Sequence, residues 1–420
     1  MACTTCAKRS GRLLSVGLNA SPLAAPHTGV GRYILGLLAG LAQLRAGPDS
    51  GDPFEVRALF APAAQLSSSL EARPAASARA EGSAERGSTA ASIFRLARGA
   101  VRQLPFAYEL AQAVRAAALE AEILRGRLRV YHETNHAAPT TRAKVVLTVH
   151  DLSTLLLPET QDRKRAAHFG RALRERTKDA ARVITPTQAI AEQVVQVLGI
   201  PRDRVRAIHH GVDSALLQVI AEPRQSGSLN NVTRLNELGV RGPYLLFVGA
   251  LEPRKGLPSL LDAVDALPAP LAREFPLVLA GPADRLDQPL LSRLAARREG
   301  RVVRLGYVSP QALPALYRGA AAFCLPSRYE GFGLPLLEAL ACGTPCLASD
   351  DPALVEVSGG AALHAARGDA HAIAAALERL LTDSVLRAEL SRKGPLRAAQ
   401  FSWEASARAH LQTYREADSA

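Results

Sequence analysis

Two glutamates stand eight residues apart in a stretch that otherwise reads as apolar. In EGFGLPLLEALACG, residues 330–343, Glu330 precedes the turn Gly331-Phe332-Gly333, and Glu338 sits among Leu336, Leu337, Ala339, Leu340 and Ala341. Pro335 near the start and Gly343 past the end predict a short helix over Leu334–Ala341. A carboxylate inside such a helix is costly to bury unless a partner donates hydrogen bonds to it. The vicinal hydroxyls of a ribose are such donors, as in nucleotide sites. Glu330 is then placed to take the hydroxyls of a second sugar beyond the phosphates. Between the two, the backbone N–H groups near Phe332, Gly333 and Leu334 form a helix N-terminus that favours an anion. The glycines let a ligand approach the main chain. The plain alternative is a pair of structural glutamates, one capping the turn and one salt-bridged.

A second stretch carries the opposite charge. In VGALEPRKG, residues 248–256, Arg254 and Lys255 follow an apolar run and precede a helical one starting near Leu257. Adjacent Arg and Lys at a strand-to-helix corner suit a phosphate clamp, Arg by bidentate hydrogen bonds and Lys as a point charge. Alone the pair reads equally well as an exposed basic turn; the anion site at 330–343 favours phosphate.

The elements that must position these residues are short β-rich runs alternating with helical stretches, the α/β pattern of parallel sheets with helices on both faces. Strands are expected at Leu13–Leu18, Phe54–Phe60, Arg129–His132, Lys144–Val149, Arg182–Thr185 and Val205–His209, with helices including Gly31–Leu44 and Ala189–Leu198. A second set comprises Tyr244–Val248, Pro276–Ala280, Val302–Leu305, Ala321–Leu325 and Pro345–Ala348, alternating with helices such as Pro258–Leu267. Ala221 to Leu235, with Pro223, Gly227 and several Ser, Asn and Gln, reads as a linker or hinge loop. Residues 61–89, rich in Ala, Ser, Arg and Gly, read as a mobile surface insertion. Two doubly wound, Rossmann-like domains facing a central cleft follow, each turning the carboxyl ends of its strands toward it.

Bulk numbers narrow the function classes. The chain has 420 residues, enough for two domains with large cores. No uncharged apolar run reaches the roughly 18 residues of a membrane span, and the stretch after Lys8, Arg9 and Arg12 is too short for a signal peptide, so a cytoplasmic address is expected. Five cysteines form no disulfide framework, and Cys3-x-x-Cys6 lacks the second pair a zinc site needs. The net charge of +12 is uneven: residues 1–220 hold 29 Lys+Arg against 18 Asp+Glu, residues 221–420 hold 22 against 21. A basic first half fits nucleic acid, an anionic membrane surface or phosphate-bearing substrates, although an arginine-rich composition explains part of the excess.

Taken together, these stretches resemble the family-4 retaining glycosyltransferases. EGFGLPLLEALACGTP is similar to their Glu-x7-Glu signature and LEPRKG to their Arg–Lys diphosphate motif. TGVGRY at 28–33 resembles the glycine loop after the first strand, and TVHDL at 148–152 the central histidine segment; PTQAI and HHGVD follow in the expected order. The resemblance spans the chain apart from 61–128. It implies the GT-B fold: an acceptor-binding domain over 1–220, a linker over 221–241, a nucleotide-sugar-binding domain over 242–395, and a terminal helix over 396–420 crossing back to the first domain.

The resemblance also assigns roles. It implies that Glu330 contacts donor-sugar hydroxyls and Glu338 the ribose, that Arg254 and Lys255 neutralise the departing diphosphate, and that Gly29 and Gly31 let the first domain's loop close on the donor. His150, with Asp151, is expected to line the reaction centre, although a lone histidine is more often structural. His132 and Glu133 end another strand at the same face and are candidates for acceptor contact. Where relatives often carry an arginine nearer the first strand's glycine, this chain has Ala250, and HHGVD has His210 where Asn is common. The implied chemistry is transfer with retention at the anomeric carbon. It needs no metal or cofactor, in keeping with the absence of any Asp-x-Asp, and no enzymic nucleophile is apparent.

The run 131–160 is similar to bacterial mannosyl- and deoxyhexosyl-transferases that build lipopolysaccharide O-chains. This points to a GDP-linked sugar, GDP-mannose first and GDP-rhamnose next, and to a lipid-linked or surface-polysaccharide glycan as acceptor. A UDP-sugar donor or a GT-B-shaped nucleotide-sugar epimerase is the alternative, the latter disfavoured by the Glu-x7-Glu spacing. A dehydrogenase is disfavoured because Ile34 stands at the third glycine position of Gly29-x-Gly31. Non-catalytic nucleic-acid binding leaves Glu330 and Glu338 unexplained, and 5% aromatic content offers few stacking platforms, so no nucleic-acid partner is expected. Finally, Arg163, Lys164, Arg165, Arg171, Arg174, Arg176, Lys178 and Arg182 face only Asp162, Glu175 and Asp179. Such a stripe is expected to hold the enzyme peripherally on an anionic inner leaflet, a solvated helix face being the alternative.

Overall fold

A computed structural model of the chain describes residues 13–24, 28–46, 53–61, 107–126, 128–135, 141–160, 163–213, 216, 229–283, 288–295 and 301–420. Two sheets of six strands each organise it, and every pairing is parallel. The first sheet contains β1 (Leu14–Asn19), β2 (Phe54–Leu59), β3 (Val130–Glu133), β4 (Lys144–Thr148), β5 (Arg182–Thr185) and β6 (Val205–Ala207), in the order β2-β1-β3-β4-β5-β6. The second contains β7 (Leu245–Val248), β8 (Leu277–Ala280), β9 (Val302–Gly306), β10 (Ala322–Leu325), β11 (Cys346–Ser349) and β12 (Leu363–Ala365), in the order β12-β11-β10-β7-β8-β9. In each sheet the strand order reverses beside the first strand, which opens a crevice at the carboxyl edge. The central strands β1, β3, β7, β8, β10 and β11 are buried along their whole length, the continuous burial a sheet covered on both faces produces.

Two elements depart from the sequence expectation. Part of the stretch read as a linker loop is a helix, Leu229–Glu237, while 221–228 lie outside the described residues. Its Leu229, Val232 and Leu235 recur every three residues, and Leu235 and Leu238 pack against the second core. Apolar periodicity outweighed the turn-forming composition there. Strand β12 was not foreseen because Leu363-His364-Ala365 is too short for a periodic signal. The expected 61–89 insertion beyond Ala61 and the Cys3–Cys6 pair lie outside the described residues.

The chain ends on helix Trp403–Ser419, whose N-cap Ser402 accepts from the Ala405 N–H. That helix lies on the first domain: Ala407, Leu411, Tyr414 and Ala417 share a core with Val16, Tyr33, Leu37 and Leu41. Glycines make the close approach possible. A Cβ at Gly36, Gly40 or Gly211 would overlap Trp403, so three side chains are omitted around the chain's single tryptophan.

Candidate active site

The second domain's part of the candidate site is built where the loop after β7 meets the loop after β10. Gly256 (φ +71°) lies so close to the Pro326 carbonyl that a Cβ there would overlap it, and the Arg328 N–H donates to the Arg254 carbonyl at 2.8 Å. These backbone contacts bring Arg254 and Lys255 over Glu330. Lys255 Nζ donates to Glu330 Oε1 at 2.6 Å, Ser327 Oγ donates to the same oxygen at 2.8 Å, and Arg254 Nη1 stands 3.7 Å from Oε2. Arg254 is further held by the Tyr329 carbonyl and by Glu252 Oε1, each at 2.8 Å. Burial alone would raise the Glu330 carboxyl, but Lys255 and Arg254 outweigh it and hold the group below the ordinary carboxylate range. Burial likewise opposes the Arg254 charge, and Glu330, Asp151 and Glu252 more than offset it. Glu330 is therefore an ion, its negative charge shared between two cations.

One turn on, Gly333 adopts φ +86° as the N-cap of helix Leu334–Ala341, a left-handed conformation suited to glycine. The helix has the bounds read from sequence. It carries Glu338 into the interior, 2% exposed, where Tyr317 Oη donates to Oε2 at 2.8 Å and Arg32 forms an ion pair with Oε1. Phe332 turns its ring inward against His210 (centroids 4.7 Å apart), so its contribution at the turn is its backbone.

From the first domain, the loop after β4 reaches the same place. A Cβ at Gly331 would overlap the His150 carbonyl, Thr187 Oγ1 donates to the Gly331 carbonyl at 3.0 Å, and Tyr329 Oη accepts from the Leu152 N–H at 2.9 Å. The two sets of carboxyl-edge loops are thus in direct contact. His150 Nε2 lies 2.9 Å from the Thr134 carbonyl; a carbonyl only accepts, so that nitrogen carries a proton. Tyr33 meets the His150 ring edge-on at 5.0 Å. Asp151 Oδ1 accepts from the Ser153 N–H and Oγ at 2.9 and 2.7 Å, which fixes the turn carrying His150. Gly29 and Gly31 begin helix Gly29–Ala46; a Cβ at Gly29 would meet nothing within 4 Å, and the Gly31 N–H donates to Thr28 Oγ1.

His132 and Glu133 do not fit the acceptor contact expected of them. Both are fully buried. His132 bonds Tyr414 Oη at 2.8 Å and Thr148 Oγ1 at 2.7 Å, while Glu133 accepts from Asn19 Nδ2, Tyr131 Oη and the Asn135 N–H. They tie the terminal helix and three strands together, and burial holds His132 neutral, its pKa far below the ordinary imidazole value. Sequence reading missed Tyr317, Ser327, Tyr329 and the pairing of Arg32. Arg32 stood within the quoted glycine loop, but nothing local indicated its partner 306 positions away. His210 is 5% exposed, and its Nδ1 has no hydrogen-bond partner among the described residues. Among the described residues no cluster of three His, Cys, Asp or Glu is placed to hold a metal, and no helix is long and apolar enough to cross a membrane.

The chain has counterparts among known proteins. Residues 235–397 match the model of the glycosyl transferases group 1, and residues 27–216 that of glycosyltransferase family 4. O-antigen chain mannosyltransferase B of Escherichia coli is 33% identical over 288 residues, covering 68% of this chain and 74% of that protein. The chain belongs to the group 1 glycosyltransferases. The serotype-specific mannosyltransferase WbdA of Escherichia coli is 31% identical over 268 residues, covering 62% of this glycosyltransferase but only 32% of the much longer WbdA. In fold, a glycosyltransferase from Rickettsia africae superposes with a TM-score of 0.65 at 14% identity, over 97% of this chain and 99% of that one. The two parallel-sheet domains are therefore a GT-B architecture.

Proposed function

We propose that this glycosyltransferase moves a hexose, mannose or a deoxyhexose such as rhamnose, from a GDP-linked donor to a lipid-linked or surface-polysaccharide glycan, with retention at the anomeric carbon and without a metal. The observation that carries the reading is the donor-side cluster itself: Arg254 and Lys255 fixed over the ionised Glu330, with Glu338 eight residues on beneath a glycine turn. Preorganised cations stabilise a leaving diphosphate as a metal would. The acceptor hydroxyl attacks the anomeric carbon from the face the diphosphate leaves. The bond to the diphosphate oxygen breaks, the bond to the acceptor oxygen forms, and the hydroxyl proton passes to the departing phosphate. Glu330 releases Lys255 to the phosphate and takes sugar hydroxyls in its place, and His150 lines the centre from the opposite domain.

Similarity to O-antigen chain mannosyltransferase B supports the choice of mannose and acceptor. Thermal-shift screening of GDP- and UDP-sugars and a sugar-transfer assay, each with and without chelator, test the reading. A GDP-sugar should stabilise the protein in both; preference for a UDP-sugar, or activity abolished by chelator, would overturn the corresponding part.

The enzyme works at the cytoplasmic face of an anionic membrane, held there by helix Arg163–Asp179. Of the eight basic side chains in that stripe, Arg171, Arg174 and Lys178 are exposed, whereas Arg182 is committed to Glu416; each exposed cation adds about 1 kcal/mol near such a surface. Sedimentation with anionic vesicles should fall with salt, and equal binding to neutral vesicles would end the docking idea.

A further inference from the structure

Within the donor site the cations do not suffice for the anion they are meant to hold. Arg254 and Lys255 supply two positive charges, but Glu330 and Glu252 pair with them and cancel both. A diphosphate ester brings two negative charges and leaves with about one more, so a clamp of zero net charge needs a further cation. The glycine loop carries one. Arg32 lies in the first turn of helix Gly29–Ala46, is 30% exposed, and crosses from the first domain to pair with Glu338 of the second.

That pairing occupies the oxygen a ribose would need. Tyr317 hydrogen-bonds Glu338 Oε2, whereas Oε1 makes no hydrogen bond among the described residues and is met by Arg32 as an ion pair, so a ribose diol and the Arg32 guanidinium compete for that one carboxylate oxygen. A long, partly exposed side chain can turn away, whereas Glu338, buried in its helix at 2% exposure, cannot. We propose that Arg32 is a donor-positioning residue that exchanges partners: the ribose takes Glu338, and the released guanidinium moves to the diphosphate as a third cation. The site is then completed by a residue of the acceptor half. This inference rests on Glu338 being the ribose ligand.

The exchange gives Arg32 opposite effects on two ligands that share a ribose. Calorimetry with guanosine and with GDP, repeated with uridine and UDP, should be run on the full-length wild type, Arg32→Gln, Glu338→Gln and the double variant. In Arg32→Gln the nucleoside should bind severalfold tighter, because its competitor is gone. The nucleoside diphosphate should bind at least tenfold weaker, and turnover should fall about 10²-fold. Glu338→Gln should weaken both ligands, and in the double variant the nucleoside advantage should vanish. Equal weakening of nucleoside and nucleoside diphosphate in Arg32→Gln, as a folding defect would give, or no change in either, would overturn the exchange while Glu338→Gln still reported on the ribose. Unaltered nucleoside binding in Glu338→Gln would instead remove the ribose assignment and the exchange with it.

Discussion

Replacing Lys255 by Ala removes one of the two cations on Glu330, and the geometry sets what should follow. Lys255 Nζ makes the shortest contact to that carboxylate, 2.6 Å, and both side chains are largely buried, 12% and 7% exposed. Stripping a buried ion of its sole partner costs about 3–5 kcal/mol. Here Arg254 at 3.7 Å and Ser327 at 2.8 Å remain, which reduces the expected loss to about 1–3 kcal/mol. In a domain of this size that is a drop in Tm of roughly 3–10 °C. Turnover should fall about 10²-fold or more, the scale for losing one preorganised charge at a leaving group, about 2.7 kcal/mol. The pH dependence carries the signature of the pair. Glu330 is held below its ordinary value of 4.5, so its ion pair stabilises the fold above that pH and loses its effect as pH falls through the depressed value. Wild-type and variant unfolding temperatures should therefore differ most above pH 4.5 and converge in acid. Single-turnover kinetics and thermal unfolding from pH 3 to 8 provide the measurement. Wild-type turnover in Lys255→Ala would take the residue out of the reaction, and a Tm difference independent of pH would refute the ion-pair account.

Other perturbations separate the remaining roles. Glu338→Ala should chiefly weaken nucleotide binding and Glu330→Ala the sugar-dependent rate; calorimetry showing GDP binding unaltered in Glu338→Ala would remove the ribose assignment. Gly331→Ala forces a methyl into the His150 carbonyl, so the cleft loops must separate, and activity should fall at least about 10²-fold while circular dichroism stays native; retained activity would show that their contact is dispensable. His410, buried between Tyr33 and the Ser406 carbonyl, has its pKa lowered by that burial to about 4 against an ordinary 6.5. Its contribution to stability is complete above pH 6.5 and is lost as pH falls toward 4. His410→Gln keeps hydrogen-bonding groups without titrating, so its Tm should decline less steeply across that window, and an unchanged slope would exclude His410 as the source.

The alternation of strands and helices, the two-sheet architecture and the Glu330–Glu338 and Arg254–Lys255 motifs were legible in the sequence, because each is written in neighbouring residues. Continuous apolar runs mark strands buried on both faces, Pro335 and Gly343 bracket the helix carrying Glu338, and the glycines of 331–333 mark a main-chain approach. Tertiary structure alone decided partners separated by long stretches of chain. Whether Glu338 meets Arg32, whether Lys255 reaches Glu330, and whether His132 faces a ligand or the hydroxyl of Tyr414 depends on how sheets and the terminal helix pack. Strand-end position gave His132 and His150 the same prospect. The interior closed over His132 because helix Trp403–Ser419 covers that part of the sheet, while His150 lies one strand further along, where the second domain's glycine turn abuts its carbonyl. Burial and charge pairing are properties of that packing, and no local pattern encodes them.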